Sequence, residues 1–179
     1  MALQLKILPN YNYNDYLNWE GRWEVIDGIP FAMSPAPRLK HQSAAGKIHS
    51  ILINSLTETG CGHCNVYQPI DLKITENTIV QPDLSIICGV TKDRAYIDFP
   101  PALVIEILSP STALKDKNTK YELYQNFDIP YYLIFDLELK EILAYHLTEK
   151  KYQLFNNQKE GFKFEDGCFI KPNLEAVFE

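Results

Sequence analysis

Two stretches decide how this chain is read: Ile79-Val80-Gln81-Pro82-Asp83-Leu84-Ser85-Ile86-Ile87-Cys88 and Ala102-Leu103-Val104-Ile105-Glu106-Ile107-Leu108. Both are rich in β-branched residues and bounded by turn-like or charged segments, so both read as strands at the core of a sheet. Each carries one carboxylate where a core strand has little use for it. Burying an ionised carboxylate without a partner costs several kcal/mol, so Asp83 and Glu106 are most simply explained as facing each other across a shared cation. Taken alone, Asp83 reads equally well as a strand-edge aspartate in a turn. Glu106 has no such exit, because two aliphatic residues flank it on each side.

Working outward, residues 65–74 read as a further strand of the same sheet. Upstream, residues 22–26 and 29–33 flank Asp27-Gly28, a dipeptide suited to the positive φ angles of a two-residue hairpin turn. Ser34-Pro35-Ala36-Pro37 ends that hairpin. Apolar residues then recur at Ala44, Ala45, Ile48, Ile51, Leu52 and Leu56, one face of a helix that Gly60 and Gly62 stop. Downstream, Ser109-Pro110-Ser111-Thr112 offers capping hydroxyls for a second helix reaching about Phe127, with Tyr121, Leu123, Tyr124 and Phe127 as its apolar members. Pro130 breaks it, residues 131–136 return as a strand, and residues 141–155 read as an antiparallel hairpin with its turn at 148–151. The expected architecture is mixed α/β (α+β): a mixed central sheet with flanking helices, forming one domain over residues 1–179.

Composition sets outer bounds. The chain has 179 residues, of which 46% are hydrophobic and 22% charged, as expected of an ordinary globular protein with one substantial core. Apolar runs are broken well short of a membrane span, and residues 1–10 lack the apolar core of a signal peptide, so the expected compartment is the cytoplasm. A net charge of −6 argues against a broad phosphate-binding surface. It leaves room for a nucleic-acid enzyme, because metal-binding carboxylates make a site acidic and a bound divalent cation reverses that sign locally.

Cys61-Gly62-His63-Cys64 has the spacing of a thiol-disulfide exchange motif, but it follows a helical pattern and precedes a strand, the reverse of the order that lowers a thiol pKa at a helix N-terminus. Zinc fares no better, since Cys88 and Cys168 lack a second paired spacing and His63 alone completes no site. Free thiols are the expectation for all four cysteines.

Hydrolysing a phosphodiester needs charge neutralisation on the phosphate, a nucleophilic water and a stabilised leaving oxygen, which a carboxylate-held Mg²⁺ and a nearby lysine can supply. The position two residues after Glu106 holds Leu108, so a lysine must come from the following helix. At 3.6 residues per turn Asp116, Lys120 and Tyr124 share a face, which makes Lys120 the candidate to point inward. There it would stabilise charge or, with a pKa lowered by desolvation, help deprotonate water. The plainer reading of Asp116 and Lys120 is a surface ion pair worth about 0.3–0.5 kcal/mol. Lys115 and Lys117 read as solvated charges.

The strings Trp23-Glu24-Val25-Ile26-Asp27-Gly28, Gln81-Pro82-Asp83-Leu84, Val104-Ile105-Glu106-Ile107-Leu108-Ser109-Pro110-Ser111-Thr112 and the Asp116, Lys120, Tyr124 series together resemble a large bacterial family of restriction-endonuclease-like proteins within the PD-(D/E)xK nuclease superfamily. The likeness runs in order from about residue 15 to the C-terminus. It implies a restriction-endonuclease-like core. Carried over by position, Asp83 and Glu106 look like the metal-binding carboxylates, with the backbone carbonyl of Ile107 as a further ligand. Lys120 resembles the family's displaced catalytic lysine. Glu24 corresponds to an acidic residue that binds metal through water or helps hold a second ion, although a solvent-facing hairpin charge fits the sequence as well. His41 matches a position in the family where histidine is common; a phosphate contact is the functional role this implies, and a purely structural helix-start role is the alternative. Asp136 also matches, with no chemistry assigned.

The resemblance therefore implies a Mg²⁺-dependent DNA endonuclease, with Mn²⁺ as a substitute ion, no small-molecule cofactor and no membrane partner. The competing readings are a catalytically weak nucleic-acid-binding or assembly protein that keeps the nuclease-like fold, and more distantly a redox dithiol protein. Because cutting a duplex takes two cleavage events, a homodimer is expected, with Tyr131, Tyr132, Tyr145, Tyr152 and Phe155 as interface material.

Overall fold

The computed structural model describes residues 8–33, 38–89, 92–109, 113–165 and 167–179. The stop at residues 34–37, the caps at 110–112 and most of residues 1–10 lie outside the described residues. A one-turn helix α1 (Tyr13–Tyr16) leads into the hairpin of β1 (Trp23–Ile26) and β2 (Ile29–Ala32), then helix α2 (Leu39–Glu58). Strands β3 (Cys64–Tyr67), β4 (Asp71–Thr75), β5 (Thr78–Val80), β6 (Leu84–Cys88), β7 (Tyr96–Ile97) and β8 (Leu103–Ile107) follow. A π-helical stretch (Lys115–Lys120) runs directly into α3 (Tyr121–Asn126). Beyond it come β9 (Tyr131–Asp136), β10 (Glu141–Thr148), β11 (Lys151–Leu154), α4 (Asn157–Glu160), β12 (Phe162–Lys163), β13 (Phe169–Ile170) and a 3₁₀ turn (Leu174–Phe178). The architecture is the expected mixture of helices and mixed sheet.

Two expected strands prove to be four. Residues 65–74 divide into β3 and β4, and residues 79–88 into β5 and β6. Strands β5 and β4 belong to a five-stranded sheet in the order β2-β1-β5-β4-β7, whereas β6 and β3 belong to a six-stranded sheet in the order β11-β10-β9-β8-β6-β3. Both crossings fall at a Gln-Pro pair, Gln68-Pro69 and Gln81-Pro82. Proline has no N–H for a ladder and bends the residue before it away from helix, so each pair ends one strand and redirects the chain into the other sheet. The Asp27-Gly28 turn forms as its residues require, with φ of +50° and +76°.

In the six-stranded sheet β8 runs parallel to β9 and antiparallel to β6. A parallel neighbour needs a crossover, and the π-helical stretch with α3 provides it. Side chains alternate along β8. Leu103, Ile105 and Ile107 pack with Ala44, Ile48, Leu52 and Leu56 of α2. Val104 lies on the other face with Tyr124, Tyr132 and Ile134, the face to which Glu106 also projects. The sheet thus brings α2 to one face and α3 to the other, and the site forms where both reach the C-terminal end of β8.

Two expectations fail against this core. Tyr131, Tyr132 and Tyr152 are buried within the protomer, so these three rings are not spare interface material, while Tyr145 and Phe155 pack half-buried against the same clusters. The four cysteines are not free thiols: Cys61 pairs with Cys168 and Cys64 with Cys88. Cys61 and Cys64 are therefore not a mutual redox pair. The antiparallel β3–β6 register sets Cys64 directly across from Cys88, and the C-terminal β12–β13 hairpin carries Cys168 back to the end of α2. Among the described residues no helix is long and apolar enough to cross a membrane.

Candidate active site

The site opens where β6 and β8 part. The β6–β8 ladder ends at the pair Leu84↔Ile105, so Glu106 and Ile107 run on past the end of β6 while Asp83 and Pro82 lead into it. Pro82 has no N–H to give the ladder, which leaves the Ile107 carbonyl open to a side-chain donor. Asp83 Oδ2 accepts the Ile107 N–H at 2.8 Å, and His41 Nε2, carried in by the first turn of α2, lies 3.1 Å from the Ile107 carbonyl oxygen and 3.2 Å from Asp83 Oδ2. The proline-aspartate pair thus does two things: proline frees a carbonyl and aspartate turns a carboxylate toward it.

Glu106 Oε1 accepts from Lys120 Nζ at 2.8 Å and from the Tyr124 hydroxyl at 2.7 Å. Lys120 also lies 2.8 Å from Glu24 Oε1, and that oxygen accepts the Gln81 N–H at 3.1 Å. The other oxygen of Glu24 is bonded to Lys115. Glu24 is fully buried, so it is not a solvent-facing hairpin charge. With both its oxygens engaged by lysines, its place is to anchor Lys120 and Lys115.

The surface ion pair between Asp116 and Lys120 is also overturned: both are buried, 3.7 Å apart. Nor is Lys115 a solvated charge. In an α-helix, positions 115 and 120 would be turned roughly 140° apart. In the wider π-helical turn, whose hydrogen bonds run from i to i+5, residues five apart align, and both lysines reach Glu24. Lys117 is the one of the three that stays substantially in solvent, its ammonium 3.8 Å from Asp136. Asp136 caps the backbone of Glu138 and Leu139 in the turn after β9.

Charge decides the protonation states. Burial works against the Lys120 ammonium, but Glu106, Glu24 and Asp116 around it raise its pKa well above the usual lysine value. Lys120 therefore keeps its proton, and the expectation of a lowered lysine pKa is corrected. Burial would raise the Glu24 carboxyl, yet Lys120 and Lys115 hold it at about 2. Glu106 is raised well above the carboxylate range by burial, against Lys120, with Asp116, Asp83 and Glu24 adding to the rise. Burial opposes the charge on His41, but its bond to Asp83 and that carboxylate's charge raise its pKa. Four carboxyl groups, Glu24, Asp83, Glu106 and Asp116, thus share the site with the basic groups of Lys115, Lys120 and His41.

Among the described residues no three His, Cys, Asp or Glu side chains gather into a ready metal-binding group. Mg²⁺ asks for less, because it keeps several waters and takes one or two carboxylates. Asp83 Oδ2 and the Ile107 carbonyl already converge on a single imidazole nitrogen, and Glu106 precedes Ile107 on the same strand. These oxygens fit a hard divalent cation if the His41 ring gives way to it. Reading the sequence missed Lys115 and the Tyr124 bond to Glu106; the helical spacing put Tyr124 on the right face, while nothing in Lys-Asp-Lys-Asn-Thr-Lys announces a π-helical turn.

Residues 13–167 match the family model described as "Uma2: Putative restriction endonuclease". A relative, the uncharacterized protein slr1290 of Synechocystis sp., is 30% identical over 164 residues, covering 88% of this chain and 85% of that protein. A crystal structure of a putative nuclease belonging to DUF820 from Anabaena variabilis superposes with a TM-score of 0.72 at 13% identity, covering 93% of this chain and 97% of that one. That likeness carries the fold.

Proposed function

The chain belongs to the Uma2 family of restriction-endonuclease-like proteins, and from that premise we propose that it is a Mg²⁺-dependent DNA endonuclease hydrolysing phosphodiester bonds, with Mn²⁺ able to substitute. Asp83, Glu106 and the Ile107 carbonyl would hold the cation. When bound, such an ion neutralises phosphate charge and lowers the pKa of an attacking water. Lys120, kept protonated by its carboxylates, stabilises negative charge developing on the phosphate oxygens. Glu24 positions Lys120 and Lys115 through their shared ion pairs. His41 donates to the Asp83–Ile107 pair in the absence of a cation, and as an imidazolium displaced from it would contact a phosphate oxygen.

The observation that carries this reading is the convergence of Asp83 Oδ2 and the Ile107 carbonyl on one point, beside a glutamate and a fixed ammonium. A second reading, a catalytically weak DNA-binding or assembly protein, is favoured by the burial of Lys120 at 2% and Glu106 at 3% exposure. Plasmid nicking decides between them. Purified protein should nick with Mg²⁺ and fail with EDTA, and Asp83→Asn should lose activity while melting like a folded protein. Equal nicking by Asp83→Asn and wild type would refute the assignment; absent cleavage of both plasmid and single-stranded DNA by folded wild type would leave the second reading.

A further inference from the structure

Phe31 stands out on the rim of this site. It lies on β2, the edge strand of the five-stranded sheet, directly across from Glu24, so the two side chains project to the same face. Glu24 is fully buried, but Phe31 is 38% exposed. Between them lies Lys115, bonded to Glu24, with its ammonium 5.7 Å from the Phe31 ring centroid and 19% of its side chain in solvent. Tyr11, Trp19 and Trp23 pack on one another nearby in the chain, whereas Phe31 meets no other ring among the described residues. An ammonium has three donors, and Glu24 takes one. Lys115 thus presents remaining donors at the mouth of the site next to an aromatic face in water.

Resting on the nuclease reading above, we infer that Phe31 and Lys115 form a subsite for one unpaired nucleotide of a DNA strand, its base stacked on the Phe31 ring and its phosphate held by Lys115, so that the preferred substrate is single-stranded DNA. A base inside a duplex has both faces covered by its neighbours and cannot stack on a side chain without being extruded. Duplex affinity rests mainly on clustered Lys and Arg, which a chain of net charge −6 has in short supply. Stacking on an aromatic ring asks for no such cluster and tolerates any base. Among the described residues β2 is the edge strand of its sheet, with no further strand paired to its outer side.

Binding and cleavage are measured separately. Fluorescence anisotropy with a labelled 30-nucleotide strand, in EDTA so that no metal-dependent cleavage occurs, should show tighter binding than the same sequence as a blunt duplex. Phe31→Leu, which keeps an apolar residue on the strand, should weaken single-strand binding about tenfold, and Phe31→Trp should restore it. Lys115→Gln should weaken single-strand binding and flatten its salt dependence. Duplex binding as tight as single-strand binding, or an unchanged affinity in Phe31→Leu, overturns the subsite. Phe31-dependent binding without Mg²⁺-dependent cleavage would keep the subsite and sink the nuclease reading.

Discussion

Replacing Lys120 by methionine removes the ammonium while keeping an unbranched side chain of similar reach in the space. Glu106 Oε1 and Glu24 Oε1 then both lose their nearest charge. Taking one partner from a buried ion pair costs about 3–5 kcal/mol. The lower end applies here, because Lys115 still pairs with Glu24, Tyr124 still donates to Glu106, and Glu106 can take up a proton. For a chain of this size, about 3 kcal/mol lowers the Tm by about 6–12 °C. The pH dependence gives a second readout. Without Lys120, Glu106 loses the charge that lowered its pKa and rises further above its unfolded value. Its contribution is favourable below that unfolded value, about 4.3, and is lost as pH rises through the folded one. The deficit of Lys120→Met against wild type should therefore be smaller near about pH 4, where only the Glu24 pairing is lost, than near about pH 8. Thermal unfolding followed by circular dichroism at both pH values measures it; a Tm within about 2 °C of wild type at the higher pH would show that the Glu24–Lys120–Glu106 chain is not the buried ion network described here.

Glu24, held at about 2 by Lys120 and Lys115, contributes stability that is present above the unfolded carboxylate value and lost as pH falls toward its folded one. That contribution is about 3 kcal/mol at neutral pH, so wild type should lose Tm steeply between about pH 5 and about pH 2, while Glu24→Gln starts lower and changes less over that range; parallel curves would contradict the pairing. Digestion under non-reducing conditions should yield linked peptides for Cys61–Cys168 and Cys64–Cys88, and a Cys61–Cys64 link would contradict the fold at the C-terminal hairpin. Reducing both bonds, or the double change Cys61→Ser with Cys168→Ser, should cost about 2–5 kcal/mol of stability, seen as a drop in Tm with added thiol.

What could be read from the chain followed from burial and its exceptions. Asp83 and Glu106 stood out because a carboxylate in an apolar strand demands a reason, and the helix of Ala44, Ile48, Leu52 and Leu56 announced itself by its period. Glu24 gave no such signal, since one glutamate in a hairpin strand looks solvated until the five-stranded sheet and the π-helical turn close over it. The same turn hid Lys115, because helical spacing assumes hydrogen bonds four residues apart. Pro82 was legible as part of a motif, but its effect on the ladder, freeing the Ile107 carbonyl, depends on β8 lying antiparallel to β6. The disulfides were hidden for a topological reason: Cys61 and Cys168 are 107 residues apart in sequence, and only the C-terminal hairpin folding back on α2 brings them together. Disulfides are also rare in the cytosol, so the expected compartment worked against finding them.

The central claim is that Asp83, Glu106 and the Ile107 carbonyl form a divalent-cation position now bridged by His41. Anomalous diffraction from a crystal soaked in Mn²⁺ tests it directly. The account predicts a single strong peak about 2 Å from an Asp83 carboxylate oxygen and from the Ile107 carbonyl, with Glu106 bound directly or through water and the His41 ring moved aside. Density for Mn²⁺ elsewhere on the chain, or a fully occupied His41 bridge at millimolar Mn²⁺ with no peak between the two oxygens, would contradict it.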